Sequence, residues 1–428
     1  MKNVLDVLAE RGFIEQLTDE RDIRESLLRP TTCYIGFDPT APSLHVGSLV
    51  PIMALAHMQR GGHRPIALVG GGTGLVGDPS GKIEMRKVLT RGEIERNVHA
   101  MGKQFSKFLD FSKGSALVLN NADWLTRLNY IEFLRDIGVH FSVNRMLSFE
   151  SIKVGLERGL SFIEFNYQLL QAYDFWHLFK QYGCVLQMGG SDQWGNIVAG
   201  IDLIRRLEGK GAYGITFPLI ETADRKKMGK TEQGTIWLDA SMTSPYHYYQ
   251  YWVNTDDRDV VRFLSLFTFL PMEEIRGVQF LKNADLNMAK EVLSFEATRI
   301  NHGTEEATGA WRSSVALFGG GNILPDLLPS SSIPRQKLAE TVESIPTTTI
   351  DKDILKRGMV VFEMFKKTLC ASGAEARRLI EQGGAYINGV KVERFDEALS
   401  VEHFRNGEIM LRAGKKRFHR VRLRQEGK

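Results

Sequence analysis

The sequence predicts an α/β fold with a parallel sheet, followed by a mainly helical region and a small α+β segment at its C-terminal end. Three observations carry this. From Thr31 the chain alternates short apolar runs with amphipathic ones, as strands alternating with helices do. After about Glu221 the apolar residues recur mostly at helical spacing. Between about Gly319 and Ile350, two stretches rich in Gly, Pro, Ser and Thr (GGGNILPDLLPSSSIP and SIPTTTI) read as a linker, and short helical and strand-like pieces alternate from about Asp353.

In order along the chain, TTCYIGF is a short buried strand and DPTAPS the turn that ends it. Ser43 stands where it would cap a helix. The apolar positions of that helix, Val46, Leu49, Val50, Met53 and Ala56, recur at helical spacing, and Gly61 and Gly62 stop it. PIALV is a second strand, followed by the loop GGGTGLVGDPSGK; further strands are expected at VLQMGG and ITFPLI. Such alternation implies a parallel sheet that binds ligands at the carboxyl edge of its strands.

Apolar residues make up 43% of the 428 and charged residues 25%, an ordinary globular composition with material for two or three domains. Cys33, Cys184 and Cys370 lie far apart with no C-x-x-C pair, which argues against a disulfide framework or a structural zinc site. The first residues carry acidic side chains at helical spacing and no apolar signal core, and no apolar run approaches a bilayer span. A cytoplasmic protein without membrane contact is expected. Net charge is only +4, but from Arg405 onward Arg412, Lys415, Lys416, Arg417, Arg420, Arg422, Arg424 and Lys428 face only Glu408 and Glu426. That asymmetry suits a polyanion partner, although a solvated basic tail would look the same.

Five short motifs could carry chemistry. Gly72-Thr73-Gly74-Leu75-Val76-Gly77 matches the dinucleotide-binding G-x-G-x-x-G, but Asp78-Pro79-Ser80-Gly81 follows at once and leaves no long helix to meet a pyrophosphate. The NAD reading is therefore rejected, while Asp78 remains a carboxylate at the sheet edge. Asp38-Pro39-Thr40 precedes His45-Val46-Gly47-Ser48 at a helix start, where a histidine can meet phosphate oxygens and Gly47 leaves room for a nucleotide. Lys226-Lys227-Met228-Gly229-Lys230-Thr231 offers mobile cations for a polyphosphate. Tyr167, Gln171 and Asp174 stand at i, i+4 and i+7, so they share one helix face, apart from an apolar stripe of Phe165, Leu169, Ala172 and Trp176. Lastly, glycines in GGSDQWGN deliver Asp192 and Gln193 to the same edge. Each has an ordinary structural reading when taken alone.

In this order, the Y-x-G-F-D-P-T strand and turn, the H-x-G, the GDPS loop, the Y-x-x-x-Q-x-x-D helix, GGSDQWGN and KMGKT resemble bacterial-type tyrosyl-tRNA synthetases. The resemblance covers essentially the whole chain, since the C-terminal segment resembles the S4-type RNA-binding domain. It implies a Rossmann-like class I synthetase catalytic domain over 1–220 and a helical anticodon-recognition domain over 221–320 with the KMSKS-type loop at its start. A linker over 321–350 and an α+β S4-like domain over 351–428 would follow.

The resemblance also assigns roles. Tyr34 and Asp174 would hydrogen-bond the phenol of L-tyrosine; Tyr167, Gln171 and Asp78 would hold its ammonium group, with Gln193 near the carboxylate. Gly36, Asp38, His45, Gly47, Ser48, Asp192 and Lys230 would bind ATP, and Thr40, His45, Lys82, Arg86, Lys227, Lys230 and Thr231 would serve catalysis at its phosphates. Arg377, Arg378, Lys415, Lys416 and Arg417 would contact tRNA(Tyr). ATP with Mg²⁺ is expected as substrate, with no tightly bound protein metal, and a homodimer is expected from the family. The sequence departs from the pattern at Ser48, where His or Asn often stands, and at Ile35, where some relatives have a polar residue. Tryptophanyl-tRNA synthetase, a nucleotidyltransferase and a non-catalytic RNA-binding protein are the alternatives. The first leaves Tyr34, Asp174 and the C-terminal segment unexplained, the second KMGKT and the long C-terminal half, and the third everything but the tail.

Overall fold

The computed structural model describes residues 2–78, 90–157, 159–224, 228–231, 234–335, 344–370, 372–414 and 416–424. Lys82, Arg86, Lys227 and Lys415 fall outside these residues, and Lys230 and Thr231 are described through their backbone alone. Among the described residues, β1 (Gln16–Leu17), β2 (Thr32–Phe37), β3 (Arg64–Val69), β4 (Leu117–Asn120), β5 (Cys184–Gly190) and β6 (Tyr213–Phe217) form one sheet in the order β1-β6-β5-β2-β3-β4. β1 runs antiparallel to β6, and the other pairs are parallel. Ile66, Ala67, Leu68 and Val69 are all buried, and along β2 Cys33 and Ile35 join one apolar cluster while Tyr34 joins another. Burial on both faces is why these strands read as apolar runs without alternation. The chain steps from β2 to β3 to β4 in one direction and from β5 to β6 in the other, so its path reverses between β2 and β5. Tyr34 and Gln187 face each other across that reversal, where open parallel sheets bind ligands.

The helices α1 (Leu49–Arg60), α2 (Arg91–Phe105), α3 (Phe162–Tyr182) and α4 (Trp194–Glu208) lie between these strands. Capping boxes start α2 (Thr90 with Glu93) and α3 (Ser161 with Glu164), and Gly183 at φ 63° ends α3 in the left-handed conformation that glycine tolerates. The expected Ser43 cap is not formed. Ser43 Oγ instead accepts the Asp239 N–H at 3.2 Å. His45, extended at φ −122°, takes the capping place before the short turn Val46–Ser48 that leads into α1.

Beyond the sheet lie α5 (Pro245–Val253), α6 (Val260–Phe267), α7 (Asn283–His302) and α8 (Thr304–Phe318). They pack around Trp252, Phe263 and Phe267, and their apolar core is continuous with Ile35, Leu186 and Met188 of the sheet. The buried Arg11 guanidinium ties the two parts together. It donates to the carbonyls of Ser265 and Thr268, each at 2.9 Å, and of Leu270 at 2.6 Å, satisfying groups left open where α6 ends.

The stretch expected to be linker is partly structured. Glu296 of α7 accepts from Ser331 Oγ at 2.7 Å and from the Ser332 N–H at 2.9 Å, and Ile323, Leu328 and Ile333 are buried beside it. Further on, β9 (Thr347–Ile350) belongs to the C-terminal sheet, because its β-branched threonines suit a strand better than the free coil their polarity suggested. α9 (Val361–Thr368) and α10 (Gly373–Glu381) pack on that sheet, in which β10 (Ala385–Ile387), β11 (Val390–Lys391), β12 (Glu408–Ala413) and β13 (Arg417–Leu423) follow the order β11-β10-β12-β13-β9. This segment has an apolar core of its own. Among the described residues, no helix is long and apolar enough to cross a membrane.

Candidate active site

At the reversal point, polar side chains converge from β2, the loop after β3, the turn after β4, the face of α3 and the start of α4. Asp174 is buried at 2% exposure, accepting from Trp124 Nε1 at 2.7 Å and from Asn121 Nδ2 at 2.8 Å. Burial raises its carboxyl to about 7, and these two donors oppose the rise. The Tyr34 hydroxyl is buried and has no protein partner among the described residues. Burial first, then the charge of Asp174, pushes its phenol above the usual range.

The phenol of Tyr167 is pushed up by burial, then by Asp38, Asp78 and Asp174, and Thr73 opposes the rise. Carboxylates from three elements thus act on one phenol, giving the cleft the sign that an ammonium group needs. A chain of hydrogen bonds closes one side. Gln193 Nε2 donates to Asp78 Oδ2 at 2.9 Å and to Asp192 Oδ2 at 3.3 Å. Asn196 Nδ2 donates to Gln193 Oε1 at 3.1 Å and to Gln171 Oε1 at 3.0 Å. Tyr34, Asp38, Asp78, Tyr167, Gln171, Asp174, Asp192 and Gln193 are therefore brought to one place.

The glycine-rich loop is shaped for this cleft and not for a dinucleotide. It makes one short turn, Thr73–Leu75. Its Gly72 and Thr73 N–H groups donate to Asn121 Oδ1 at 2.7 and 3.4 Å. A Cβ on Gly71 would lie 2.1 Å from Asn120 Oδ1, so any larger residue there would have to push the Asn120 side chain aside. By contrast, a Cβ on Gly36 would meet nothing within 4 Å, and Gly36 and Thr40 are exposed beside Asp38. Ile35 is buried in the apolar core.

The H-x-G and KMGKT motifs meet in a second cluster. His45 bridges Trp237 in antiparallel pairing; the Val46 N–H donates to Ile236 O at 3.0 Å and the Leu238 N–H to Leu44 O at 2.8 Å. The Ile236 N–H donates to Gly229 O at 3.0 Å, and β7 (Lys230–Thr231) pairs with β8 (Gly234–Thr235). A Cβ on Gly229, which sits at φ 85°, would lie 2.9 Å from Val46 Cγ2 and 3.1 Å from the Gly47 nitrogen. The lysine loop therefore rests directly on the histidine turn. His45 Nδ1 accepts the Gly47 N–H at 3.0 Å, and Ser48 donates its N–H to His45 O at 2.8 Å.

Asn121, Trp124 and Gln187 belong to the cleft without having been singled out in the sequence, and so do Thr73 and Asn196, which stood within motifs whose weight was placed on other residues. Paired asparagines at the end of the strand LVLN, and one glutamine inside the apolar run VLQM, were the available signals.

In the C-terminal segment Arg377, Arg378 and Lys416 are exposed, and Arg377 lies 5.2 Å from both the Phe362 and Phe395 rings. Arg417, expected at the tRNA, is turned inward, donating to Leu369 O at 2.8 Å and Glu375 Oε1 at 3.0 Å. The fold also pairs Arg422 with Glu408 at 2.7 Å and Arg424 with Asp351 at 3.1 Å. Over its described part, the basic end is a strand partly neutralised at home and not a free tail.

The family described as tRNA synthetases class I (W and Y) matches residues 26–319, and a tyrosine–tRNA ligase SYY-like C-terminal domain matches residues 337–421. Tyrosine–tRNA ligases of Syntrophus aciditrophicus and Desulfatibacillum aliphaticivorans are 58% and 59% identical to this chain, each alignment covering 99% of both proteins. The structure of a C-terminally truncated mitochondrial tyrosyl-tRNA synthetase from Aspergillus nidulans superposes with a TM-score of 0.66 at 33% identity, over 74% of this chain and 95% of that one. A tryptophanyl-tRNA synthetase from Encephalitozoon cuniculi shares the fold at 14% identity and a TM-score of 0.53, over 75% of this chain and 90% of that one.

Proposed function

Since the chain belongs to the class I tRNA synthetases as a tyrosine–tRNA ligase, we propose that the cleft at the sheet reversal binds L-tyrosine and that the His45–Gly229 seam binds the phosphates of ATP. The observation that carries this reading is the buried Tyr34 hydroxyl, without a protein partner among the described residues, next to an Asp174 whose carboxylate is already held by two donors. A phenol entering there gives Tyr34 its missing partner and donates to Asp174. Tyr167, Gln171 and Asp78 hold the ammonium group, supported by the convergent carboxylates and the Asp78–Gln193–Asn196–Gln171 chain. Gln193 lies toward the carboxylate, and Gly36, Asp38, Gly47, Ser48 and Asp192 toward the adenylate.

The tyrosine carboxylate oxygen attacks the α-phosphorus, the bond to the bridging oxygen breaks, and pyrophosphate leaves with its electron pair. No protein nucleophile is needed. Thr40, His45, Lys82, Arg86, Lys227, Lys230 and Thr231 stabilise the charge that develops on the departing phosphates. ATP arrives with its Mg²⁺ as a substrate. A terminal ribose hydroxyl of tRNA(Tyr) then attacks the adenylate carbonyl and releases AMP.

Arg377, Arg378, Lys415 and Lys416 supply phosphate contacts to the tRNA; the exposure of Arg377, Arg378 and Lys416 supports this, and the pairing of Arg417 with Glu375 favours a structural role for it instead. The domains follow the division at 220 and 320, and the last begins at β9, at 347 and not at 351. Exposed Tyr130, Ile131, Val139, Val143, Phe162 and Ile163 favour a homodimer that covers them. The unpaired, buried cysteines fit a reducing cytoplasm.

Pyrophosphate exchange into ATP without tRNA, run with each of the twenty amino acids, tests the reading. Exchange with tyrosine alone is expected. Exchange with tryptophan instead would reassign the cleft.

A further inference from the structure

The two faces of the C-terminal sheet differ. On one, Ile409, Leu411 and Ala413 of β12 join Ala385, Ile387 and Val421 in the apolar core with α9 and α10. On the other, Tyr386, Met410, Arg412 and Phe418 are only partly buried, and among the described residues they enter no apolar cluster. The register lines up a row across this second face. Tyr386 of β10 stands opposite Lys391 of β11 and opposite Arg412 of β12, and Arg412 stands opposite Phe418 of β13. Cation and aromatic thus alternate over four strands. The Arg412 guanidinium lies over the Tyr386 ring, 3.8 Å from its centroid, and its buried Nε has no hydrogen-bond partner among the described residues. Phe418 ends the row against Phe318 of α8, with centroids 5.5 Å apart. Glu408, farther along the same face, is matched by Arg422 at 2.7 Å and Arg420 at 3.4 Å, so the excess positive charge lies at the other end, by the β12–β13 turn. Exposed Lys416 stands in that turn, which Arg417 ties to Glu375 of α10, two and three residues before Arg377 and Arg378.

We propose that the Tyr386–Arg412 pair is a stacking site for an unpaired nucleotide of the tRNA, reached around the β12–β13 turn from the phosphate contacts on the helical side. The proposal rests on the reading that this segment binds tRNA(Tyr). An aromatic ring with a guanidinium laid on it is a flat, cationic surface, which suits a base linked to phosphates better than it suits a phosphate alone. A base inside a paired stem has both faces covered by its neighbours, so the occupant is a nucleotide from a loop or bulge. Charge argues against a second copy of the chain on the same face, since Lys391 and Arg412 would meet their own like charges. The site adds affinity for tRNA and takes no part in tyrosine activation.

The test uses the full-length protein with Tyr386→Leu, Tyr386→Phe and Arg412→Lys. The Kd for a tRNA(Tyr) transcript is measured over a range of salt concentrations, with pyrophosphate exchange and a melting curve as controls. Tyr386→Leu should weaken tRNA binding roughly fivefold or more, the scale of one base stacked on an aromatic ring, and Tyr386→Phe should bind like wild type. Arg412→Lys keeps the charge but loses the plane, so it should weaken binding as well. Because neither change removes a cation, the slope of log Kd against log salt should stay as in wild type, and exchange should be unchanged. Wild-type affinity in Tyr386→Leu would overturn the proposal, as would wild-type affinity in Arg412→Lys, which would make Arg412 a point charge. A flattened slope in Tyr386→Leu would also overturn it, by showing that the phosphate contacts had gone with the fold of the segment. A wild-type protein that binds no tRNA would instead sink the functional reading itself.

Discussion

Tyr34→Phe separates recognition from folding at a single atom. The ring of Tyr34 packs against Phe175 with centroids 5.4 Å apart, a contact that phenylalanine keeps. The hydroxyl has no protein partner among the described residues, so its removal breaks no hydrogen bond to them. The unfolding free energy should therefore change by less than about 0.5 kcal/mol, or rise slightly. A bound tyrosine, however, would lose one neutral hydrogen bond, worth about 0.5–1.5 kcal/mol, while its contact with Asp174 remains. That converts to a roughly two- to twelvefold drop in kcat/KM for tyrosine. Phenylalanine has no hydroxyl to lose and should be activated as well as before or better, so discrimination falls by the same factor. Pyrophosphate exchange with both amino acids, alongside urea denaturation, measures each quantity. Equal losses for the two amino acids would refute the reasoning, as would destabilisation beyond about 1 kcal/mol.

Asp174→Asn should alter the pH dependence of stability. The folded carboxyl, at about 7, lies above its unfolded value, so its contribution is complete below the unfolded pKa and is lost as pH rises through 7. Relative to the variant, the wild-type protein should gain about 2.5 kcal/mol between pH 7.5 and pH 5; parallel profiles in urea denaturation would argue against the shift. Gly229→Ala forces a side chain into a left-handed backbone beside Val46 and the Gly47 nitrogen. It should slow adenylate formation by roughly tenfold or more without changing the tyrosine Kd, and stopped-flow traces matching wild type would count against the seam. A chain ending at Ser344 removes a segment with its own core and uncovers Phe318, which packs on Phe418. It should form adenylate at a near-normal rate but charge tRNA poorly, with a shallower salt dependence of tRNA binding; equal loss of both activities would mean that the segment supports the catalytic fold.

What could be read from the sequence depended on whether the relevant interaction was local. Tyr167, Gln171 and Asp174 could be placed together because helical spacing alone puts them on one face. The same holds for rejecting the glycine fingerprint, since Pro79 and Gly81 forbid a long helix whatever the tertiary context. Asn121 and Trp124 were not legible: they follow a short strand without periodicity, and their purpose exists only once α3 brings Asp174 within 2.8 Å. Ser43 looked like a cap because polar residues often are, but the Asp239 N–H, nearly two hundred residues away, donates to its oxygen. Composition misled in two places. Ser- and Thr-rich segments suggested linker where Glu296 and β13 hold the chain, and summed charge counted every basic residue of the end as available where Glu375 and Asp351 sit opposite two of them. The meeting of H-x-G with KMGKT lay beyond both kinds of reading, since it rests on pairings such as His45 with Trp237.

The most direct measurement of the central claim is a single-turnover burst. Protein mixed with ATP, Mg²⁺, pyrophosphatase and labelled tyrosine, without tRNA, should accumulate one protein-bound tyrosyl-adenylate for each competent tyrosine site, and added tRNA(Tyr) should then convert it to tyrosyl-tRNA. Protein that retains labelled tyrosine only reversibly, forms no adenylate and passes nothing to tRNA would contradict the account.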